Sequence, residues 1–119
     1  SALHFGPGWP YNAYEMTHAS YKHPSGNLND EFHIYELEWT EEHIITKIDD
    51  TEVMKVDFDE DMYTKGGFPD HVNNPWKNEK ELSAPFNRDF YLIFNVAVGG
   101  TNGYFPDGKC GKTWTNAND

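Results

Sequence analysis

The chain has 119 residues, and its 20 acidic and 9 basic side chains give a formal net charge of −11. This acidity argues against nucleic acid or an anionic membrane as a partner, and the length allows one small domain. No apolar run is long enough to predict a transmembrane segment. Aromatic residues make up 16% of the chain, so a neutral ligand held by rings and hydrogen bonds, with carbohydrate as the first candidate, suits this composition.

Short runs rich in β-branched and aromatic residues, separated by Gly, Pro, Asn and Asp, predict an all-β, antiparallel sandwich. In chain order the predicted strands are Leu3–Phe5, Ala19–Lys22, Phe32–Trp39, His43–Ile48, Val53–Phe58 and Phe90–Val98. The first begins at once, without a start methionine or a leader, so we interpret residues 1–119 as a piece of a longer chain.

A tight hairpin is expected at Asp49–Glu52, because these polar residues tolerate turn conformations and separate two strand patterns. The strand Phe90–Val98 has a wholly apolar face, whereas its other face carries Tyr91, Ile93, Asn95 and Ala97. Such a semi-polar face is typical of a strand that lines a ligand cleft. Between these regions, Asp59–Asn87 lacks strand periodicity and predicts a long functional loop or a lid, with Tyr63, Phe68 and Trp76 exposed.

Glycosidases commonly use two carboxyl groups, and Glu36 and Glu38 lie roughly 7 Å apart on one face of a strand. The opposite face carries Tyr35, Leu37 and Trp39. We therefore expect both glutamates to point into solvent in a structural role.

No metal or cofactor site is predicted. Asp57, Asp59 and Asp61 alternate as in a calcium loop, but Met62 and Phe68 stand where that loop needs Gly and Glu. The six histidines offer no helical i, i+4 pair and no cysteine partner suited to zinc. The G-x-S-x-G signature of a serine nucleophile is absent from the sequence.

Three residues are candidates for ligand contact. Trp9 and Trp76 lie in Gly/Pro-rich or Asn/Pro-rich segments, where each could stack on a sugar ring or simply cover the edge of the sandwich. Asn95 could bond to a side chain of a neighbouring strand. The residues on the same face, Tyr91, Ile93 and Ala97, do not form a large apolar surface, however, and this favours contact of Asn95 with a ligand.

The segment Phe90–Gly108, with the sequence FYLIFNVAVGGTNGYFPDG, resembles the signature strand and loop of family 16 glycoside hydrolases of the laminarinase and β-1,3-glucan-binding type. Further matches, in the order of the family, are Leu3–Gly6 with Trp9, Glu31–Thr40, Asn74–Trp76 and Ala84–Phe86. The resemblance implies a concanavalin A-like jelly roll whose concave sheet binds β-1,3-glucan, with residues 1–119 as its C-terminal part.

The same resemblance leaves two functions open. The catalytic motif Glu-x-Asp-x-x-Glu does not occur in the chain, and its family position lies just before Leu3, while the last family strand would follow Trp114. The piece alone is therefore expected to be inactive. The parent would be either an invertebrate pattern-recognition protein that binds β-1,3-glucan, with lipopolysaccharide as a further ligand, or a retaining endo-β-1,3-glucanase.

Strand alternation and the resemblance together assign the substrate-binding residues. They are His4, Trp9, Tyr91, Asn95 and Asn102, the last in the Gly99–Phe105 loop. Because similar proteins act outside the cell, the resemblance also implies a secreted monomer in which Cys110 forms a disulfide.

Overall fold

The computed structural model describes residues 1–96, 107–108 and 112–115. Its chain forms two compact units, Ser1–Asp89 and Phe90–Asp119. Regular secondary structure in the described residues is confined to the first unit. It consists of a 3-10 turn at Tyr14–Thr17, the strands β1 (Tyr35–Trp39), β2 (His43–Ile48) and β3 (Thr51–Asp57), and the short helix α1 (Met62–Lys65).

The three strands form an antiparallel sheet in the order β1-β2-β3, which confirms the predicted all-β, antiparallel class. Asp49 and Asp50 make the two-residue turn between β2 and β3, with φ angles of 48° and 63°. Left-handed conformations at both positions match the twist of the flanking strands, and Asp tolerates them better than most residues. The predicted hairpin is thus confirmed, although its loop is shorter than Asp49–Glu52. A register shift after Thr46 leaves Val53 as the extra residue of a β-bulge.

Alternation along the strands separates an apolar face from a charged face. Ile44, Met54 and Val56 point to the apolar face and are buried. The rest of the buried cluster comes from outside the sheet, namely Phe5, Ala13, Phe58, Met62 and Phe86. Phe86 is central to it, because its ring stacks on Phe58 and meets Phe5 edge-on, with both centroids 6.2 Å away.

The segment from Asp59 to Asn87 packs as a lid on this cluster. Asp61 caps α1 by accepting a hydrogen bond from the Thr64 N–H at 3.0 Å. The expected exposure of Tyr63, Phe68 and Trp76 was wrong, because all three are half-buried and the last two pack against the core. Their large apolar surface covers the open side of a three-stranded sheet, which has no second sheet within the described residues.

The predicted strand Phe90–Val98 was wrong over residues 90–96, which adopt no regular secondary structure and are exposed. Its last two residues lie outside the described part of the chain. A strand with one wholly apolar and one semi-polar face is stable only when neighbouring strands and a packed layer cover it. The described residues of the unit Phe90–Asp119 contain no strand that could pair with it. Elsewhere in this unit, Lys112 forms an ion pair with Asp107 and lies 5.9 Å from the ring of Trp114.

Two other predicted strands are replaced by an irregular ribbon. Leu3–Phe5 and Ala19–Lys22 form no named strand, and Ala2 and His18 share only an isolated bridge. The predicted strand Phe32–Trp39 begins three residues later than expected, at Tyr35. No helix among the described residues is long and apolar enough to cross a membrane.

Candidate functional site

The first 19 residues form an N-terminal ribbon, in which residues 1–5 run beside residues 13–19. Successive side chains along it point alternately to the core and to the surface. Leu3 N–H donates to the Thr17 carbonyl at 3.3 Å, and Ala13 N–H donates to the Phe5 carbonyl at 2.8 Å. Phe5 therefore turns into the core and His4 turns to the surface, as strand alternation predicts. The ribbon closes tightly at Gly6, where a Cβ would lie 2.0 Å from the carbonyl oxygen of Tyr11. Only glycine permits this approach.

His4 is held by two neighbours from the returning half of the ribbon. The amide nitrogen of Asn12 donates to His4 Nδ1 at 2.9 Å, and the ring of Tyr14 stacks on the imidazole with centroids 5.0 Å apart. When Nδ1 accepts this bond, a neutral imidazole carries its proton on Nε2. The exposed edge of His4 can then donate a hydrogen bond to a hydroxyl oxygen.

Trp9 lies at the tip of the same ribbon. Its turn is closed by the Tyr11 N–H, which donates to the Gly8 carbonyl at 2.8 Å. The indole is 96% exposed. It therefore contributes nothing to the core, and a flat aromatic face presented on a loop suits stacking on the apolar face of a sugar ring.

A polar hollow of about 500 Å³ lies in the lid segment. It is lined by Tyr63, Asp70, His71, Val72, Asn73 and Asn74. Tyr11 joins the ribbon to this hollow, because its hydroxyl lies 3.5 Å from His71 Nε2. Sequence reasoning missed these lining residues. The sequence feature that could have indicated them is the concentration of Asn, Asp and His in a long loop without periodicity.

The structure brings only some of the predicted site residues together. His4 and Trp9 share the ribbon of the first unit, whereas Tyr91 and Asn95 are exposed in the second unit. Asn102 and the Gly99–Phe105 loop lie outside the described residues. The ligand-binding roles of all five residues stay predictions.

Glu36 is exposed, as expected, and Glu38 is half-buried on the same charged face of the sheet. The expected core side of this strand was wrong, because Tyr35, Leu37 and Trp39 are exposed. Both accept hydrogen bonds from Lys47 Nζ, at 2.8 and 3.1 Å, and Glu38 also lies 2.9 Å from His43 Nε2. These bonds, with that to His43 the strongest, lower the pKa of Glu38. A lowered pKa is the opposite of what a general acid of a glycosidase needs.

The three aspartates of the rejected calcium loop also have structural partners. Asp57 binds Lys55 at 2.8 Å, and Asp59 binds Lys65 at 2.7 Å. Asp61 caps α1, and its hydrogen bonds from Thr64 lower its pKa.

The profile of Glycosyl hydrolases family 16 matches residues 9–76, more than half of the chain. The chain belongs to glycosyl hydrolase family 16. Members of this family fold as a jelly-roll β-sandwich, to which the antiparallel sheet belongs as an incomplete part. The match covers Trp9 and ends at Trp76, so the ribbon tip, the sheet and the polar hollow all fall within it.

Two relatives of this family 16 chain carry glucan names. A "Beta-1,3-glucan-binding protein" from Penaeus monodon is 44% identical over 116 residues, 98% of this chain and 31% of the relative. A "Glucan endo-1,3-beta-glucosidase A1" from Niallia circulans is 33% identical over 99 residues, 82% of this chain and 12% of the relative. The chain thus spans less than a third of either relative. No solved structure matches it.

Proposed function

We propose that this family 16 chain contributes to a β-1,3-glucan-binding surface. The observation that carries the proposal is the 44% identity to the shrimp protein over 98% of the chain. The exposed indole of Trp9, the oriented imidazole of His4 and the polar hollow beside His71 support it, because they offer a stacking face and hydrogen-bonding groups for a neutral sugar. The net charge of −11 is compatible with an uncharged polysaccharide.

The parent protein, on this proposal, is a secreted, monomeric and lectin-like pattern-recognition protein of invertebrate innate immunity. The shrimp relative supports this choice, since it is an invertebrate protein named for glucan binding. Lipopolysaccharide is a weaker candidate ligand, because its anionic groups would meet an acidic surface. We expect any such binding to use the saccharide portion.

An endo-β-1,3-glucanase is the second candidate, favoured by the bacterial relative of that name. A retaining mechanism needs two carboxyl groups about 5–5.5 Å apart, one as nucleophile and one as acid and base. The glutamates that superficially match, Glu36 and Glu38, are both ion-paired with Lys47. Because the motif Glu-x-Asp-x-x-Glu does not occur in residues 1–119, the catalytic carboxyl groups of this second candidate would lie elsewhere in the parent protein.

The experiment uses the full-length protein with laminarin. Calorimetric titration measures binding, and the release of reducing sugar measures hydrolysis. Saturable binding without hydrolysis supports the recognition function, and binding with hydrolysis supports the glucanase. If laminarin does not bind, although the circular dichroism spectrum shows a folded β protein, the glucan proposal is wrong.

A further inference from the structure

Two histidines and an aspartate that lie far apart in the sequence meet beside the β2–β3 turn. One ring nitrogen each from His23 and His33, and one carboxylate oxygen of Asp49, all lie within 4.8 Å of one another. His23 and His33 belong to the aperiodic segment before β1, and Asp49 is the first residue of the turn. The fold therefore assembles a cluster that no sequence spacing indicates.

Asp49 is held firmly in this position. Its backbone N–H donates to the Ile34 carbonyl at 3.0 Å, and its Oδ1 accepts from the Ile34 N–H at 2.9 Å. Its other oxygen, Oδ2, lies 2.5 Å from His33 Nδ1. The bond from Ile34, followed by that from His33, lowers the pKa of Asp49, so the carboxylate is an anion at neutral pH.

His33 has an unused nitrogen. Its side chain is only 3% exposed, yet Nε2 is buried without a hydrogen-bond partner. Buried polar atoms almost always have a partner, so an exception needs an explanation. When His33 Nδ1–H donates to Asp49, Nε2 bears a free lone pair. A carboxylate that orients an imidazole in this way is a common feature of histidine metal ligands.

His23 is the third member of the cluster. Its ring centroid lies 5.0 Å from that of His33, at an interplanar angle of 58°. His23 Nδ1 lies 2.7 Å from Ser25 Oγ and 3.3 Å from the Ser25 backbone nitrogen, which donates to it. Metal binding through Nε2 requires the other tautomer, in which the proton moves to Nδ1 and is donated to Ser25 Oγ. The ion pair between His33 and Asp49 explains neither this second imidazole nor the partnerless nitrogen.

We propose that His23, His33 and Asp49 form a binding site for one Zn²⁺ ion, in which the two imidazoles are the ligands and Asp49 orients His33. Imidazole nitrogens are typical ligands of zinc, and water can complete its coordination, whereas calcium and magnesium prefer oxygen ligands alone. Tetrahedral zinc with bonds of about 2.0–2.1 Å needs ligand atoms about 3.3 Å apart. Rotation of His23, which is half-buried in a loop, would bring its Nε2 towards Nε2 of His33 while Asp49 keeps its bonds.

Such an ion would tie His23 to His33 and, through the bond between His33 and Asp49, to the hairpin turn. Residues 18–34 contain no helix or strand beyond the bridge at His18, so few backbone hydrogen bonds fix this segment. A ligand that binds only the folded chain stabilises it by mass action. The site would act as a structural clamp at the edge of the sheet.

The test is calorimetric titration of the untagged, chelator-treated protein with Zn²⁺, with Mg²⁺ and Ca²⁺ as comparison ions. We expect one saturable zinc site in this cluster and no competition from the comparison ions. His23→Gln and Asp49→Asn should each weaken zinc binding at least about 10-fold. His18→Gln is the matched control, because His18 is an exposed histidine whose imidazole is bonded to the nearby Glu15 carbonyl, at 3.2 Å.

These variants separate a lost ligand from a damaged fold. Asn tolerates the left-handed conformation of position 49 and keeps an acceptor for the Ile34 N–H. His23→Gln changes a loop residue outside the hydrophobic core. Zn²⁺ should raise the unfolding temperature of the protein and of His18→Gln, but that of His23→Gln far less. Absence of saturable zinc binding, or equal zinc affinity in His23→Gln and His18→Gln, would overturn the proposal.

Discussion

Lys47 Nζ lies 2.8 Å from Oε1 of Glu36 across β1 and β2. The same ammonium group binds Glu38 at 3.1 Å, so the most glycosidase-like pair of carboxylates in the chain is part of a charge network. The first prediction is that Glu36→Gln and Glu38→Gln leave any laminarin hydrolysis by the full-length protein unchanged. Reducing-sugar assays would measure this. A large loss of activity in a folded variant would show that these groups do take part in catalysis.

The same network makes a pH prediction. Hydrogen bonds to His43 and Lys47 lower the pKa of Glu38 below its ordinary 4.5. Because the folded-state pKa is lowered, the stabilising contribution is present above pH 4.5 and disappears as the pH falls through the lowered value. The difference in unfolding free energy between the protein and Glu38→Gln should therefore shrink on acidification. Urea titrations at about pH 7 and about pH 3 would measure it, and an unchanged difference would contradict this assignment.

At alkaline pH the same charge network should lose stability as the pH rises. Hydrogen bonds to Glu36 and Glu38 raise the pKa of Lys47 from 10.5 to about 12. The contribution of Lys47 to stability is therefore complete below pH 10.5 and is lost as the pH rises through about 12. Lys47→Met should remove this part of the alkaline transition, which thermal unfolding at increasing pH would show.

The hydrophobic pattern predicted the hairpin of β2 and β3 well, because its information is local. Alternating Met54 and Val56 specify a buried face, and two adjacent aspartates specify the turn. The strand Phe90–Val98 shows the limit of such reasoning. Its alternation is equally clear, but a strand forms only when another strand pairs with it, and that depends on residues distant in the sequence.

In the candidate site, too, local features could be predicted from the sequence, whereas contacts between distant residues could not. Strand alternation predicted that His4 points outward and Phe5 inward, and the structure confirms both. The cluster of His23, His33 and Asp49 could not be found in this way, because its spacings of 10 and 16 residues fit no local motif. It exists because the segment before β1 folds back against the β2–β3 turn.

The core makes a prediction that compares two methionines. Met62 is 1% exposed in the cluster around Phe86, whereas Met16 is 65% exposed on the ribbon. Met62→Ala should reduce the free energy of unfolding by about 2–5 kcal/mol, through lost burial and the cavity left behind. Met16→Ala should change it by less than about 0.5 kcal/mol. Denaturant unfolding would measure both, and similar effects would place Met62 outside the stabilising core.

The final prediction concerns glucan binding by Trp9. An exposed indole that stacks on a sugar ring is expected to contribute about 2 kcal/mol or more, equivalent to about 30-fold in affinity. A hydrogen bond from His4 or Asn95 to a sugar hydroxyl should contribute about 0.5–1.5 kcal/mol, or about 2- to 13-fold. Trp9→Ala should therefore weaken laminarin binding more than His4→Ala or Asn95→Ala.

Phe32→Ala is the matched control for this comparison, because Phe32 is also fully exposed, at 105%, and lies in the same unit as Trp9. Its removal tests whether any exposed aromatic ring contributes to laminarin binding through nonspecific contact. Calorimetric titration of the full-length variants with laminarin oligosaccharides would give the four affinities. Equal losses in Trp9→Ala and Phe32→Ala would indicate nonspecific adhesion. Unchanged affinity in Trp9→Ala, His4→Ala and Asn95→Ala, with folding verified, would place the glucan site on another surface of the protein.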